Sequence, residues 1–290
     1  MRHFAHGPDT IRLGDLEVRR FGFGAMRLPG KGVWGEPEEP ATAHAVLRRA
    51  IELGVNLIDT AWYYGPYVAN RLIVEALHPY PSDLVIATKV GARRPDDRTW
   101  VPALRPAELR AGVEDDLRTL RLEQLPIVHL RWMDQPDASF DEALDVLLEL
   151  QHEGLLRHVA LSNVNITQLE AALAKTPIAC VQNVFNLGPV GSGAEHAQDV
   201  LAACERHGIA FLPYFPLALG SLTAGGGALD AAARRHGCSS AQLALAWLLA
   251  RSPVILPIPG TSKVAHLEEN MGATHVALDP DVVAELAPNR

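Results

Sequence analysis

Short apolar segments recur along the chain and alternate with longer amphipathic ones. The apolar runs are bounded by turn residues or polar helix starts and predict eight strands, at residues 21–25, 55–59, 84–89, 127–132, 158–162, 179–184, 209–214 and 254–258. Between them, apolar residues recur at helical spacing in segments such as 42–53, 106–120 and 239–251. Eight strand–helix units in 290 residues predict an α/β fold, a single (β/α)8 TIM barrel, with a doubly wound parallel sheet as the alternative.

The segment before the first predicted barrel strand has a different pattern. Residues 11–20 alternate around Gly14 and Asp15, which predicts an N-terminal β-hairpin that closes the bottom of the barrel. No stretch of disordered composition divides the chain, so we expect one domain over residues 1–290, with residues 1–10 frayed. The glycine-rich stretch 219–228 follows a predicted strand end and is expected to form a functional loop.

Composition and charge exclude several classes of protein. The chain is 48% hydrophobic and 21% charged, which is typical of a globular protein with a packed core. Its formal net charge is −8, so we expect no nucleic-acid partner, and we interpret the pairs Arg93/Arg94 and Arg234/Arg235 as solvated surface.

Cysteine usage and hydropathy indicate the compartment. Cys180, Cys204 and Cys238 form no Cys-x-x-Cys motif, so neither a disulfide framework nor a metal site is predicted. The N-terminus lacks the apolar core of a signal peptide, and no apolar run approaches the roughly 18 residues of a membrane span. We expect a cytoplasmic protein without a membrane partner, either a monomer or a weak homo-oligomer.

Ionisable residues stand where predicted strands end. Asp59 ends the second strand and Lys89 the third, and catalytic groups of a barrel lie at this rim. A buried acid and base pair with each other, and a structural ion pair is the simpler interpretation of these two alone. Tyr64, five residues after Asp59, adds a proton donor whose pKa a nearby ammonium would lower, and the three together indicate general-acid chemistry.

Six motifs in order resemble the signatures of the aldo-keto reductase family. They are NLIDTAWYYG, ATKVG, SNVNITQLE, VQNVFNL, YFPL and PIPGTSKVAHLEEN, within residues 20–271. The resemblance implies carbonyl reduction with NADPH, with NADH as the possible substitute. It implies that Tyr64 donates the proton, that Lys89 tunes its pKa and that Asp59 holds Lys89.

The resemblance also implies a cofactor site. Ser162, Asn163 and Gln182 would bind the carboxamide of the nicotinamide, and Tyr214 would stack on the ring. Without the resemblance, Ser162 and Asn163 would be interpreted as a helix N-cap. The pyrophosphate would contact Leu217, Leu219 and Ser221, and the adenosine phosphate would lie at Gly260, Thr261, Ser262, Lys263, His266, Glu269 and Asn270.

The sequence departs from the family at the fourth catalytic position, where Arg131 replaces the usual histidine. His129 lies two residues earlier and faces the same side, so a shift of two residues would give it the role instead. Arginine carries a fixed charge and several donors, so we expect Arg131 to favour a carbonyl compound with a neighbouring anionic oxygen. The segment LRWM resembles the bacterial pyridoxal-reductase-like branch, which makes pyridoxal a possible substrate.

Further residues near the strand ends are candidates for the substrate pocket. They are Met26, Arg27, Trp62, Tyr63, His129, Trp132 and Met133, although the tryptophans could equally pack under a loop. One alternative function is an NADPH-binding regulatory subunit with little turnover. Another is a barrel lyase that uses a metal or phosphate, but the sequence shows no carboxylate or histidine cluster for it.

Overall fold

The chain begins with a β-hairpin that lies across one end of a parallel sheet. The structure is a computed structural model that describes residues 3–187, 197–217 and 228–287. Strand β1 (Thr10–Leu13) pairs antiparallel with β2 (Leu16–Arg19), with Gly14 and Asp15 at the turn. The predicted N-terminal hairpin is confirmed.

Seven strands form a curled parallel sheet in sequence order. They are β3 (Phe23–Gly24), β4 (Leu57–Asp59), β5 (Val85–Arg93), β7 (Leu125–Arg131), β8 (Leu156–Ser162), β9 (Cys180–Gln182) and β10 (Ala210–Phe211). The short strand β6 (Val101–Ala103) pairs antiparallel with the far end of β5. Each parallel strand thus neighbours the next parallel strand along the chain, as in a barrel.

The eighth predicted strand, 254–258, closes the ring without forming a regular strand. On one side Phe211 N donates to the Val254 carbonyl at 2.8 Å and Leu256 N to the Phe211 carbonyl at 2.9 Å; on the other, Gly22 N donates to the Pro257 carbonyl at 2.9 Å. Proline lacks an N–H, so Pro257 cannot donate to a neighbouring strand and the ladder is interrupted.

Helices follow the strands as the periodicity predicts. They are α1 (Pro40–Glu52), α2 (Val68–Leu77), α3 (Pro106–Leu120), α4 (Phe140–His152), α5 (Ile166–Lys175), α6 (Ala197–His207), α7 (Ala228–Arg235), α8 (Ser240–Arg251), α9 (Val264–Gly272) and α10 (Pro280–Leu286). The predicted TIM-barrel fold class is confirmed. No helix among the described residues is long and apolar enough to cross a membrane.

The interior of the sheet changes from apolar to polar along the strands. Leu57, Val85 and Ile127 lie with Leu13 and Val18 of the hairpin in one buried apolar cluster. Strand residues two apart face the same side. The inward positions after this cluster therefore carry the polar side chains at the carboxyl ends of the strands, and the hairpin closes the opposite end.

The N-terminal segment is more ordered than we expected. Residues 1–10 were predicted to be frayed, but Ala5 N donates to the Thr274 carbonyl at 2.8 Å and Leu278 N to His6 Nε2 at 2.9 Å. The buried Arg20 guanidinium also donates to the His6 carbonyl. Residues 3–10 are thus held by backbone groups that hydrophobic patterning does not reveal.

Candidate active site

A buried ion pair lies where β4 and β9 end, beside the middle of β5. Lys89 Nζ donates to both carboxylate oxygens of Asp59 at 2.7 Å, and to the Thr60 carbonyl at 3.0 Å. Gln182 Nε2 donates to Asp59 Oδ1 at 2.7 Å. Lys89 is 1% and Asp59 4% exposed, so the pair predicted from the sequence is present and shielded from water.

A second buried carboxyl supports this pair from behind. Asp116 on α3 accepts from Thr88 Oγ1 at 2.6 Å and from Asn70 Nδ2 at 2.7 Å, and Asn70 Oδ1 accepts from Thr60 Oγ1 at 2.8 Å. Burial raises the pKa of Asp116 to about 7, although these hydrogen bonds oppose the shift. The network ties α2 and α3 to residues beside the ion pair.

Sequence analysis missed Asp116, because an acid in an amphipathic helix is usually solvated. Its spacing does carry a signal. Asp116 follows Leu109, Gly112 and Val113 at helical intervals, and all four are buried. An acid on the apolar face of a helix indicates a buried partner.

Tyr64 lies in the loop after β4 and lines a cleft that opens at the rim of the barrel. Its side chain is 3% exposed, and Lys89 Nζ lies 5.1 Å from its ring centroid. Burial raises the pKa of Tyr64, Asp59 raises it further, and Arg131 opposes them. The pKa of Tyr64 is thus raised on balance and not lowered as expected, because burial dominates. Tyr64 therefore keeps its proton.

Arg131 ends β7 and lines the same cleft. A Cβ added to Gly91, which has a φ of 104°, would come within 2.3 Å of the Arg131 carbonyl oxygen, so a glycine is needed for the backbones to approach. The pKa of Arg131 is raised above its ordinary value, although burial opposes the charge. The guanidinium remains charged beside the proton donor.

His129 lies one layer deeper and does not reach the cleft. It is 0% exposed, with Nδ1 3.0 Å from the Thr88 carbonyl oxygen and Nε2 3.4 Å from Cys180 Sγ. Burial lowers its pKa to about 4, so the ring is neutral. Of the two candidates for the fourth position, the geometry favours Arg131, and the prediction that His129 lines the pocket is wrong.

The cleft has a volume of about 1520 Å³ and runs from Tyr64 and Arg131 to the start of α9. Eleven residues predicted to bind the cofactor line it: Ser162, Gln182, Tyr214, Leu217, Gly260, Thr261, Ser262, Lys263, His266, Glu269 and Asn270. Leu219 and Ser221 lie outside the described residues. The structure thus brings most of the predicted cofactor residues onto one continuous surface.

Asn163 does not line the cleft but positions a residue that does. It has a φ of 60°, and its Oδ1 accepts from the Tyr214 hydroxyl at 2.6 Å. The alternative that Ser162 and Asn163 cap a helix fails, because Asn165 caps α5 and accepts from Gln168 N at 2.9 Å. Asn163 therefore orients Tyr214, and the predicted direct contact with the cofactor has no support in the geometry.

The structure brings only some of the residues predicted for the substrate pocket to the cleft. Met26 and Arg27 line the cleft, whereas Trp62, Tyr63, Trp132 and Met133 do not. Tyr63 is 0% exposed and packs edge-on against Tyr64, and Trp132 packs against Phe140 at 5.5 Å. Trp132 directly follows the inward-facing Arg131, so strand alternation turns it toward the helices.

Two residues missed by sequence analysis complete the cleft mouth. Trp100 lines the cleft, and the guanidinium carbon of Arg94 lies 4.3 Å from its ring centroid. Arg94 was expected to be solvated surface, but it is 7% exposed and donates to the carbonyls of Gly32, Val33 and Arg98. Three cations and a tryptophan in GARRPDDRTW, directly after a strand carrying Lys89, were the available signal.

Comparisons with known proteins agree with this geometry. The model of the Aldo/keto reductase family matches residues 20–288. A pyridoxine 4-dehydrogenase of Escherichia coli (strain K12) is 46% identical over 284 residues, which cover 96% of this chain and 97% of that protein.

Solved structures give the same result. An aldo/keto reductase from Klebsiella pneumoniae in complex with NADP and acetate superimposes with a TM-score of 0.78 at 25% identity, over 97% of each chain. An aldo-keto reductase from the same organism in complex with NADPH has a TM-score of 0.78 at 26% identity, over 97% of this chain and 96% of that one.

Proposed function

This chain belongs to the aldo/keto reductase family, and on that premise we propose that it reduces an aldehyde or ketone to an alcohol with NADPH. The observation that carries the proposal is the protonated Tyr64 beside the buried Asp59–Lys89 pair, at one end of a cleft able to hold a dinucleotide. Hydride goes to the carbonyl carbon and the Tyr64 proton to its oxygen. The products are the alcohol and NADP⁺, and solvent returns a proton to Tyr64.

The residues along the cleft fit NADPH, which supplies the hydride when bound. Ser262, Lys263 and the first N–H groups of the nine-residue helix α9 suit a phosphate, because cations and helix N-termini attract anions. Glu269 and Asn270 follow on the same surface and offer polar groups to an adenine. Tyr214, fixed by Asn163, presents an aromatic ring for a planar group. NADH remains the alternative cofactor, because His266 carries no fixed charge.

The chain's own groups supply the proton and stabilise the charge that develops on the substrate oxygen. Because its pKa is raised, Tyr64 holds its proton until a carbonyl oxygen gains negative charge. Arg131 lines the same cleft and stabilises that charge. The Asp59–Lys89 pair and Gln182 form a hydrogen-bonded cluster beside Tyr64. The charges of the ion pair cancel, so the cluster adds no net charge to the cleft.

We propose a carbonyl compound with a neighbouring anionic oxygen as the substrate, and pyridoxal as one example. Arg131 supports this choice, because it is a charged donor beside Tyr64. The Escherichia coli relative also supports it, since a pyridoxine 4-dehydrogenase removes hydride from an alcohol, the reverse of the reduction proposed here. The unpaired cysteines fit the cytoplasm, where we propose that the chain acts as one barrel domain, monomeric or weakly self-associating.

The proposal is tested by following NADPH oxidation with a panel of aldehydes that includes pyridoxal, 2-hydroxybenzaldehyde and benzaldehyde. We expect turnover, with a higher kcat/KM for pyridoxal, and for 2-hydroxybenzaldehyde at a pH where its ortho hydroxyl is ionised, than for benzaldehyde. Tight NADPH binding without turnover on any aldehyde would instead support a regulatory subunit. The same panel with NADH measures the cofactor preference.

A further inference from the structure

A hairpin rises above the barrel beside the proton donor. Strand β5 continues past Lys89 and folds back onto β6, with Gly91 opposite Ala103 and Arg93 opposite Val101. Its connecting loop ends at Trp100, directly before β6. This extension places an aromatic side chain over the carboxyl end of the sheet, where barrel enzymes bind substrate.

Trp100 packs against two tyrosines of the site and is also open to the cleft. It packs edge-on against Tyr63 at 5.8 Å and Tyr64 at 6.4 Å between ring centroids. It nevertheless remains 37% exposed and lines the cleft. A large aromatic side chain left open to a cleft beside a proton donor is typical of a ligand contact.

Arg94 holds Trp100 in place. The Arg94 guanidinium carbon lies 4.3 Å from the Trp100 centroid and 5.6 Å from the Trp34 centroid, and the guanidinium bonds to the Gly32 and Val33 carbonyls. The hairpin is therefore clamped to the loop that follows β3. The tryptophan is thus fixed before any substrate arrives, which lowers the entropic cost of binding.

Trp100 and Arg131 both line the cleft close to the proton donor. The ring centroids of Trp100 and Tyr64 lie 6.4 Å apart. A carbonyl compound that accepts the Tyr64 proton therefore binds within reach of Trp100. The Arg131 guanidinium carbon lies 5.1 Å from the Trp100 centroid, so a ring at this place also meets a positive charge.

We propose that Trp100, positioned by Arg94, selects aromatic over aliphatic carbonyl compounds. The proposal rests on the proposed reductase function. A planar ring conjugated to the carbonyl packs on the indole, and the guanidinium groups of Arg94 and Arg131 favour an electron-rich or anionic ring. A short aliphatic aldehyde reaches Tyr64 and Arg131 with much less contact to Trp100.

The test compares kcat/KM for benzaldehyde and for propanal in the wild type, Trp100→Ala and Trp100→Phe. We expect Trp100→Ala to lower the benzaldehyde value by about ten- to thirty-fold, mainly through KM, and the propanal value by less than about threefold. Trp100→Phe should recover most of the benzaldehyde value, because it keeps an aromatic face.

Trp132→Phe is the matched control, because Trp132 stands at the same rim but packs against Phe140 outside the cleft. Its ratio of the two substrates should equal that of the wild type. Equal losses on both aldehydes in Trp100→Ala, or an unchanged ratio, would overturn the selection. Failure of the wild type to oxidise NADPH with any aldehyde, pyridoxal included, would overturn the reductase function itself, so the two failures are distinguishable.

Discussion

Lys89 and Arg131 lie on the adjacent strands β5 and β7, but their surroundings differ. Lys89 is 1% exposed and bonds to both oxygens of Asp59. Arg131 has no carboxylate partner within residues 3–187, 197–217 and 228–287, and its guanidinium carbon instead lies 5.1 Å from the Trp100 ring centroid. The charge of Lys89 is neutralised by Asp59, whereas the charge of Arg131 is not neutralised and acts in the cleft.

The difference gives Lys89 a structural role and Arg131 an electrostatic role. Burying a charge without a partner costs free energy, so the ion pair with Asp59 stabilises Lys89 in the interior. The Arg131 charge is only partly offset by the Trp100 ring. Its remaining potential acts on whatever binds beside Tyr64, including a carbonyl oxygen that becomes negative.

Removing the neutralised cation should have the largest effect. Lys89→Met leaves Asp59 charged and buried without its partner, so we expect the free energy of unfolding to fall by about 3–5 kcal/mol. The kcat/KM of carbonyl reduction should fall by about 100-fold or more, because loss of the ion pair changes the packing beside the proton donor Tyr64. Urea unfolding and steady-state kinetics measure the two effects.

The exposed pair between Arg49 and Glu268 provides the control. Arg49→Met should cost about 1 kcal/mol or less, since surface ion pairs contribute little. A loss below about 1 kcal/mol in Lys89→Met would show that the pair is not stabilised as its burial implies.

Removing the uncompensated cation should change selectivity more than stability. We expect Arg131→Met to lower kcat/KM by about 100-fold for an aldehyde with an ortho oxygen anion and by about tenfold for a neutral one. His129→Gln is the comparison variant, because His129 lies below the cleft and should leave the ratio unchanged. Equal losses on the charged and neutral aldehydes in Arg131→Met would refute a preference for anions.

The smallest expected effect is the pH dependence of stability that comes from Asp116, the buried carboxyl next to the ion pair. Asp116 has a pKa of about 7 in the fold and about 3.9 when unfolded, so the folded protein binds the extra proton between these values. Stability from this group is fully present below the unfolded value and is lost as the pH rises to about 7.

Asp116→Asn should remove this dependence. Between about pH 5 and about pH 8, the wild type should therefore lose about 3 kcal/mol of unfolding free energy relative to the variant. Urea unfolding at the two pH values checks this. A difference between wild type and variant that stays constant with pH would contradict a raised pKa.

Hydrophobic patterning was enough to predict the fold class, and the resemblance of six motifs indicated the family. Strand and helix periods, with the hairpin at Gly14 and Asp15, gave the barrel order, and six motifs gave the family. The interrupted strand at 254–258 followed from Pro257, whose missing N–H could have been read from the sequence.

The electrostatics and the cleft mouth were harder to predict. The sequence shows that Tyr64 follows Asp59 closely, but not that burial dominates its pKa. Arg94 meets the carbonyls of Gly32 and Val33, about 60 positions earlier, and no local pattern reports such a contact. Trp100 was missed because a continuation of β5 beyond the barrel carries it.

Tyr64→Phe tests the central claim most directly, because it removes only the hydroxyl that donates the proton. In a single turnover at saturating NADPH, we expect hydride transfer to a neutral aldehyde to fall by about 100- to 10,000-fold. The affinity for NADPH should stay within about threefold of the wild type. Hydride transfer within about threefold of the wild-type rate would contradict the assignment of Tyr64 as the proton donor.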